Sequence, residues 1–211
     1  MSAMGERGRI FLVRHGQSDL NREGRFRGLA DAPLNEVGRK EAAGAAAILD
    51  GSGVSVVYTS PVPRALETAE IVAGSIGAAV AEEEDFTDVD YGEWQGLTVE
   101  EVEQRFGRSM LESWKRDPGA FTFPRGDSMR SVQSRLGPAI ERAVASSDGN
   151  VAVVSHLAVL KLCFLIIMEL PIDYFWKIDV YNGSVSMFSH GADGVSRLEW
   201  WNRAPEIAHG R

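Results

Sequence analysis

The stretch FLVRHGQSDLN, residues 11–21, begins as a strand-like apolar run and ends in a polar segment. Residues 10–13 form a short continuous apolar run, which is typical of a strand buried on both faces of a parallel sheet. The run stops at Arg14, His15 and Gly16. Because neighbouring residues of a strand point to opposite faces, Arg14 and His15 can share a pocket only if the chain turns there. Gly16 permits such a turn, so we predict a binding loop at this strand end.

Strand-like and helix-like segments alternate along most of the chain. β-branched runs predict two further strands, at residues 54–60 and 150–155. In the tail, residues 176–202, apolar and polar residues alternate, and Asn182-Gly183 is the signal for a two-residue hairpin turn. Helical patterns occupy five other segments: residues 35–49, 61–77, 97–107, 127–146 and 157–170.

This alternation predicts an α/β fold, a three-layer α/β/α sandwich with a mostly parallel central sheet and an antiparallel C-terminal edge. Residues 82–124 interrupt the alternation and are interpreted as an insertion over the sheet. No repeat, linker or low-complexity tract divides the chain, so residues 1–211 are interpreted as a single domain. Four aromatic residues of the insertion are expected to form a hydrophobic cluster rather than a substrate lid: Trp94, Trp114, Phe121 and Phe123.

The composition is that of an ordinary globular domain, with 211 residues, 44% hydrophobic and 25% charged. The net charge of −8 argues against a nucleic-acid partner. The longest apolar run, residues 157–170, contains Lys161 and Glu169 and is too short for a membrane span, so no membrane partner is expected. A single cysteine, Cys163, fits a reducing compartment. Because the N-terminus is polar and lacks the apolar core of a signal peptide, we expect a cytoplasmic location.

Nitrogen-bearing side chains follow all three strands predicted to be parallel. The first strand ends at Arg14 and His15, the second leads through Ser60 to Arg64, and the third ends before His156. In an open parallel sheet, ligands bind outside the carboxyl ends of the strands, so these side chains are expected to form a small cationic cup. Taken singly, Arg14 could pair with a surface carboxylate and His15 could be a core histidine. Because nitrogen-bearing side chains follow all three strands, a functional site is favoured over these separate structural roles.

These motifs, in this order, resemble the histidine phosphatase superfamily, also called the phosphoglycerate-mutase-like family. The Arg-His-Gly triplet alone is a weak signal, but the ordered set is specific and the resemblance covers nearly the whole chain. The strings that carry it are LVRHGQSDLN (12–21), TSPVPRALETA (59–69), DYGEWQGLT (90–98), FPRGDSM (123–129) and VVSH (153–156). The resemblance implies metal-independent hydrolysis of a small phosphorylated metabolite, a phosphomonoester, through a phosphohistidine and without a cofactor.

The resemblance also implies a role for each residue of the cup. His15 is expected to be the nucleophile, with its other ring nitrogen held by a backbone carbonyl. Arg14 and Arg64 are expected to grip phosphate oxygens, and His156 to hydrogen-bond the same phosphoryl group. Asn21 matches a polar residue that reaches the phosphate, although an asparagine that serves its own turn is a competing interpretation.

The leaving alkoxide needs a proton, which the family usually takes from a glutamate just ahead of a glycine-tryptophan loop. Alignment of FTDVDYGEWQG, residues 86–96, on that pattern puts Asp88 at the acid position, where aspartate is one methylene shorter. Glu93 is the reserve candidate, with a solvent-side role as its more ordinary interpretation.

Two further differences from the family pattern concern substrate binding. Leu157 replaces the glycine that often follows the second histidine; its backbone N–H can still face an anion, while its side chain narrows the entrance. Arg27 stands where many broad phosphatases have glutamine. Arg27 is either a solvated loop charge or a residue that adds affinity for a second anionic group on the substrate.

Two other functions compete with hydrolysis. A cofactor-dependent phosphoglycerate mutase uses the same phosphohistidine, but such enzymes tend to carry a longer insertion than the compact stretch at residues 103–127. A catalytically silent binding or scaffold relative loses one of the central residues, all of which are kept here. No metal-ligand cluster or GxxxxGK phosphate loop is present, so no metal is expected. The C-terminal strand, with Trp200 and Trp201, offers an edge for a homodimer.

Overall fold

The computed structural model describes residues 6–30, 32–146, 149–191 and 195–205. In these residues the core is a six-stranded sheet with the strand order β3-β2-β4-β1-β5-β6. The strands are β1 (Glu6–Arg14), β2 (Val54–Thr59), β3 (Ala79–Glu82), β4 (Asn150–Ser155), β5 (Val185–Gly191) and β6 (Ser196–Arg203). Strands β1 to β4 pair in parallel, and β5 and β6 add an antiparallel edge, which confirms the predicted sheet.

Helices cover both faces of the sheet. They are α1 (Asp19–Arg22), α2 (Glu36–Leu49), α3 (Pro63–Ile76), α4 (Val99–Phe106), α5 (Arg108–Arg116), α6 (Met129–Ala145) and α7 (Leu157–Ile167). The central strand β1 shows the layering, because Phe11 and Val13 cluster with α2 and α3 while Ile10 and Leu12 cluster with α6 and α7. The α/β/α sandwich is therefore confirmed, and β1 is buried on both faces as its apolar run predicts.

Short helices and loops fill the segment between β3 and α6. Two 3-10 helices, Glu84–Phe86 and Gly92–Trp94, precede α4 and α5, and a third, Ile172–Lys177, follows α7. The predicted aromatic cluster forms here: the ring of Trp94 lies 5.7, 5.5 and 5.3 Å from those of Trp114, Phe121 and Phe123. The division into one domain, residues 1–211 with an insertion at 82–124, stays a prediction.

The hairpin predicted at Asn182-Gly183 is wrong. These residues form a turn that leads into β5, and the antiparallel hairpin instead joins β5 to β6. The turn has another partner, because Asn182 Nδ2 and the Gly183 N–H donate to the His15 carbonyl at 3.1 and 3.3 Å. Strand β3 was not predicted, since four residues are too short a run for a periodic signal.

The edge strand β6 carries both C-terminal tryptophans. Trp200 packs against Phe11 with ring centroids 6.4 Å apart, and Trp201 packs against Phe164 at 4.5 Å. These indoles therefore contribute to packing within the chain, and the homodimer stays a prediction. None of the helices in the described ranges is long and apolar enough to cross a membrane. Cys163 is buried in α7, where burial raises the pKa of its thiol to about 12.

Candidate active site

The predicted cationic cup forms at the carboxyl ends of three neighbouring strands. His15 follows β1 and its N–H donates to Ser155 O of β4 at 3.0 Å. His156 follows β4, and its ring centroid lies 5.1 Å from that of His15. Arg64 extends from the first turn of α3, which begins four residues after the end of β2. The strand order therefore brings together His15, Arg64 and His156, which lie far apart in the sequence.

The His15 ring is held in one tautomer. Its Nδ1 lies 2.6 Å from the carbonyl oxygen of Gly16, which can only accept, so Nδ1 carries the proton. The other nitrogen, Nε2, keeps a lone pair and accepts a hydrogen bond from Arg64 Nε at 3.3 Å. Burial, with the nearby charges of Arg64 and Arg14, lowers the pKa of His15 well below its usual value. The neutral ring thus presents a nucleophilic nitrogen to the cup.

Gly16 is required for a reason other than the one predicted. Its φ angle is not in the left-handed region. Instead, a Cβ atom at Gly16 would overlap the carbonyl oxygen of Gly38 in α2, and a Cβ at Gly38 would overlap that of Gln17. The two glycines let the loop after β1 lie directly against the first turns of α2. The Gly16 N–H also donates to Thr68 Oγ1 of α3 at 3.1 Å, which fixes the loop from a second side.

The two arginines that are predicted to bind phosphate differ in how many of their N–H groups already have a hydrogen-bond acceptor. Arg64 is fully buried and donates to the carbonyls of Gly28 and Ala30 at 2.7 and 3.0 Å as well as to His15. Arg14 donates through Nη1 to Val180 O at 2.6 Å, while its buried Nε has no partner among the described residues. Burial lowers the pKa of Arg14 to about 10, so the group remains charged at neutral pH. Arg14 therefore has donors available for an anion.

Of the two acid candidates, only Asp88 lies in the cup. Its side chain is 3% exposed, and its Oδ2 accepts from Arg64 Nη2 at 2.9 Å and lies 3.6 Å from His156 Nδ1. Burial raises the pKa of Asp88, and this outweighs the opposing effect of the Arg64 charge. Glu93 instead pairs with the exposed Arg125, which fits its solvent-side interpretation.

His156 faces both Asp88 and the end of β2. Its Nε2 lies 2.8 Å from Ser60 Oγ, and its buried Nδ1 has no hydrogen-bond partner among the described residues. Burial and the Arg64 charge lower the pKa of His156 well below its usual value. A neutral ring with one unpartnered nitrogen can donate a hydrogen bond to an incoming oxygen.

The three residues predicted to bind substrate have different surroundings. Asn21 Oδ1 accepts from the N–H and the hydroxyl of Ser18 at 3.0 and 2.8 Å, so its side chain serves its own turn. Leu157 is the half-buried first residue of α7. Arg27 donates to Arg25 O at 3.2 Å, but its buried Nε has no partner in the described ranges. The substrate-binding roles of all three stay predictions.

The Arg27 charge nevertheless acts on the cup, because it contributes to lowering the pKa of both cup histidines. Three guanidinium groups therefore surround a single carboxyl group, and the histidines are neutral. The cup carries a net positive charge inside a chain whose net charge is −8. Fixed cations in a site of buried side chains favour binding of an anion such as a phosphoryl group. The described residues contain no group of side chains suited to hold a metal ion.

Two residues near the cup were not predicted. Tyr91 follows the acid on the same loop, and burial together with the Asp88 charge raises the pKa of its hydroxyl. Ser60 was noted in the sequence but given no role, although its hydroxyl bonds to His156. The proximity of Tyr91 to Asp88 along the chain is the one signal that could have singled it out.

A cavity of about 490 Å³ lies away from the cup. It is at the opposite end of the sheet, where Ile10, Ile140 and Ile166 are among its lining residues, and no residue of the cup contributes to it. The cavity and the cup are therefore separate features of the fold.

The sequence profile of the histidine phosphatase superfamily (branch 1) matches residues 10–204, and the chain belongs to this family. A bifunctional protein of Mycobacterium tuberculosis is 30% identical over 203 residues, which are 95% of this chain and 55% of that protein. The chain thus spans about half the length of this relative. Phosphoserine phosphatase 1 of Hydrogenobacter thermophilus is 31% identical, with 85% of each chain covered.

This chain is also similar to mutases and to phosphatases whose structures have been solved. A 2,3-bisphosphoglycerate-dependent phosphoglycerate mutase of Azorhizobium caulinodans is 29% identical, over 88% of this chain and 94% of that protein. The structure of a mycobacterial glucosyl-3-phosphoglycerate phosphatase has a TM-score of 0.85 at 26% identity, over 93% of this chain and 99% of that one. The family therefore supports an enzyme of the phosphatase or mutase type.

Proposed function

We propose that the protein is a metal-independent phosphatase that hydrolyses a small phosphomonoester through a phosphohistidine at His15. The observation that carries this proposal is the geometry of the His15 ring. Its Nδ1 proton is held by the Gly16 carbonyl, so the lone pair of Nε2 is directed to the side where Arg64 lies. A neutral imidazole with a fixed tautomer beside fixed cations has the properties of a nucleophile for phosphoryl transfer.

In the first step, the lone pair of His15 Nε2 forms a bond to phosphorus while the ester P–O bond breaks. In the free protein Asp88 pairs with Arg64, and it takes up a proton when the phosphoryl group occupies that arginine, a change that the raised pKa of Asp88 favours. Asp88 then gives this proton to the leaving alkoxide. Arg14, Arg64 and His156 bind the non-bridging oxygens, on which negative charge is spread.

In the second step, a water molecule attacks phosphorus and the N–P bond breaks, which returns the electron pair to His15. Asp88, now ionised, accepts the proton of the water, and inorganic phosphate leaves. The same carboxyl thus serves as acid and then as base, and each cycle restores the starting protonation states.

A phosphoglycerate mutase is the second candidate, because mutases are among the relatives and share this first step. The segment between the candidate acid and α6 favours hydrolysis, since its helices are limited to the 3-10 helix Gly92–Trp94 and the short helices α4 and α5. A silent scaffold is the weaker alternative, because Arg14, His15, Arg64 and His156 are all present and converge.

A p-nitrophenyl phosphate assay in the presence of a chelator tests the proposal. Turnover without metal is expected, and its absence would favour the silent relative. A coupled assay with 3-phosphoglycerate separates the two enzymes: phosphate release indicates a phosphatase, and formation of 2-phosphoglycerate indicates a mutase. The cytoplasmic location and the lack of nucleic-acid and membrane partners stay predictions.

A further inference from the structure

The mechanism leaves one buried cation on α7 without a role. Lys161 is 6% exposed and lies one helical turn after Leu157, on the same face of the helix. Its Nζ lies 5.1 Å from the ring centroid of Phe175 and 5.5 Å from that of Trp176. Within the described residues, this ammonium group makes these two ring contacts and no hydrogen bond or ion pair.

A row of aromatic rings connects Lys161 with the loop that carries the candidate acid. Trp176 packs on Trp114 with centroids 4.6 Å apart, Trp114 packs on Phe26 at 5.6 Å, and Phe26 packs on Tyr91 at 5.2 Å. We call these four rings the aromatic wall. The wall is therefore a continuous row of ring contacts from the Lys161 ammonium to Tyr91, whose hydroxyl is affected by the Asp88 charge.

On the other side, Lys161 is close to the backbone that Arg14 contacts. Arg14 Nη1 donates to Val180 O, and Asp179 Oδ1 accepts from the Val180 N–H at 2.9 Å. Burial lowers the pKa of Lys161, the Asp179 charge opposes this, and the Arg14 charge adds to it. No Lys161–Asp179 salt bridge within 4 Å forms in the described residues, so the ammonium lies against two ring faces, is affected by the Arg14 charge and has no direct counter-ion there. A charge in this position is costly until an anion reaches it.

We propose that Lys161 binds a carboxylate of the substrate, so that the enzyme prefers phosphomonoesters of small carboxylic acids. This inference rests on the proposed function, because the phosphoryl group of the same molecule is taken to sit in the cup. A carboxylate fits better than a second phosphoryl group, since one ammonium balances a single negative charge and the nearby Asp179 disfavours a second. The alternative is that Lys161 is purely structural and is held by the two rings.

The test compares kcat/KM for 3-phosphoglycerate with that for glycerol 3-phosphate, which carries a hydroxymethyl group in place of the carboxylate. We expect the wild-type protein to prefer the carboxylated ester about tenfold or more, as for a charge-assisted hydrogen bond. In Lys161→Met, which keeps the length of the side chain, this ratio is expected to fall to near one, mainly through KM. Lys161→Arg is expected to restore part of the preference. The control is Lys177→Met, because Lys177 is exposed and lies over Tyr174.

The ratio of the two kcat/KM values separates the two interpretations of Lys161. If Lys161 is purely structural, its replacement changes kcat/KM for both esters by the same factor. Equal wild-type activity on the two esters, or a ratio that Lys161→Met leaves unchanged, would overturn the proposal. Should the variants fail to fold, wild-type protein assayed on phosphoserine and on its carboxyl methyl ester tests the carboxylate preference itself, and equal kcat/KM values would again overturn the proposal. Absence of turnover even of p-nitrophenyl phosphate would instead refute the proposed function.

Discussion

Replacing Asp88 with asparagine removes a carboxyl that acts both as the proposed acid and as a buried ion-pair partner. As an acid, it contributes about 10²–10⁴-fold to the rate for an ester whose leaving group needs a proton. Its Oδ2 also lies 2.9 Å from Arg64 Nη2, with both side chains at most 3% exposed. Breaking a buried pair by removing one charge costs about 3–5 kcal/mol. For a chain of this size, that corresponds to a fall in Tm of about 6–20 °C.

The assay measures kcat/KM, which depends only on the steps up to formation of the phosphohistidine, on two substrates that differ in leaving group. For glycerol 3-phosphate, we expect Asp88→Asn to lower kcat/KM about 10²–10⁴-fold. For p-nitrophenyl phosphate the loss in kcat/KM should be much smaller, because p-nitrophenolate leaves without a proton. Glu93→Gln is the matched control, since Glu93 pairs with Arg125 at the surface and such pairs contribute about 1 kcal/mol or less. Equal losses on both substrates would refute the acid role, and an unchanged Tm would refute the ion-pair estimate.

The remaining predictions concern Arg27, the cup histidines and the loop glycine. Arg27→Gln should lower kcat/KM more for a phosphomonoester with a second anionic group than for one without, because the buried Nε of Arg27 has no partner in the described ranges; an unchanged preference would end this hypothesis. Burial holds the folded-state pKa of His15 and His156 well below the usual histidine value of 6.5, so only the unfolded chain gains these protons and stability should fall as pH drops below 6.5. Thermal melts between about pH 7 and pH 5 measure this, and a constant Tm would count against it. Gly16→Ala should destabilise by about 1–3 kcal/mol, because its Cβ overlaps the backbone of α2. Gly74→Ala, in open space on α3, should stabilise by about 0.5–1 kcal/mol; the opposite order in denaturant titrations would contradict the close approach.

Much of the site could be predicted because its residues directly follow buried strands. The continuous apolar runs that end at Arg14 and Ser155 identify central parallel strands, and the carboxyl ends of such strands meet at one edge of the sheet. The resemblance of the ordered motifs to the family then predicts that Arg64 lies at this same edge of the sheet. The structure confirms that these side chains converge, and it adds the Gly16 carbonyl that holds the His15 ring.

What could not be predicted depends on contacts between segments far apart in the chain. The Asn182-Gly183 turn has a hairpin signature, but its donors bond to the His15 carbonyl, 167 positions away along the chain. Gly16 needs no positive φ, and only the packing of its loop on α2 shows why a side chain does not fit. Lys161 appears in the sequence as a charge that interrupts an apolar helix. Its position between ring faces becomes visible only when the segment after α7 folds back.

The central claim is that His15 Nε2 is transiently phosphorylated. Wild-type protein mixed with a ³²P-labelled phosphomonoester and quenched in alkali, which preserves phosphohistidine, tests this claim most directly when the labelled peptide is identified by mass spectrometry. We expect label on His15, and we expect His15→Ala to carry no label and to lose about a thousandfold or more of turnover. Label on a different residue, or undiminished turnover by His15→Ala, would contradict the claim.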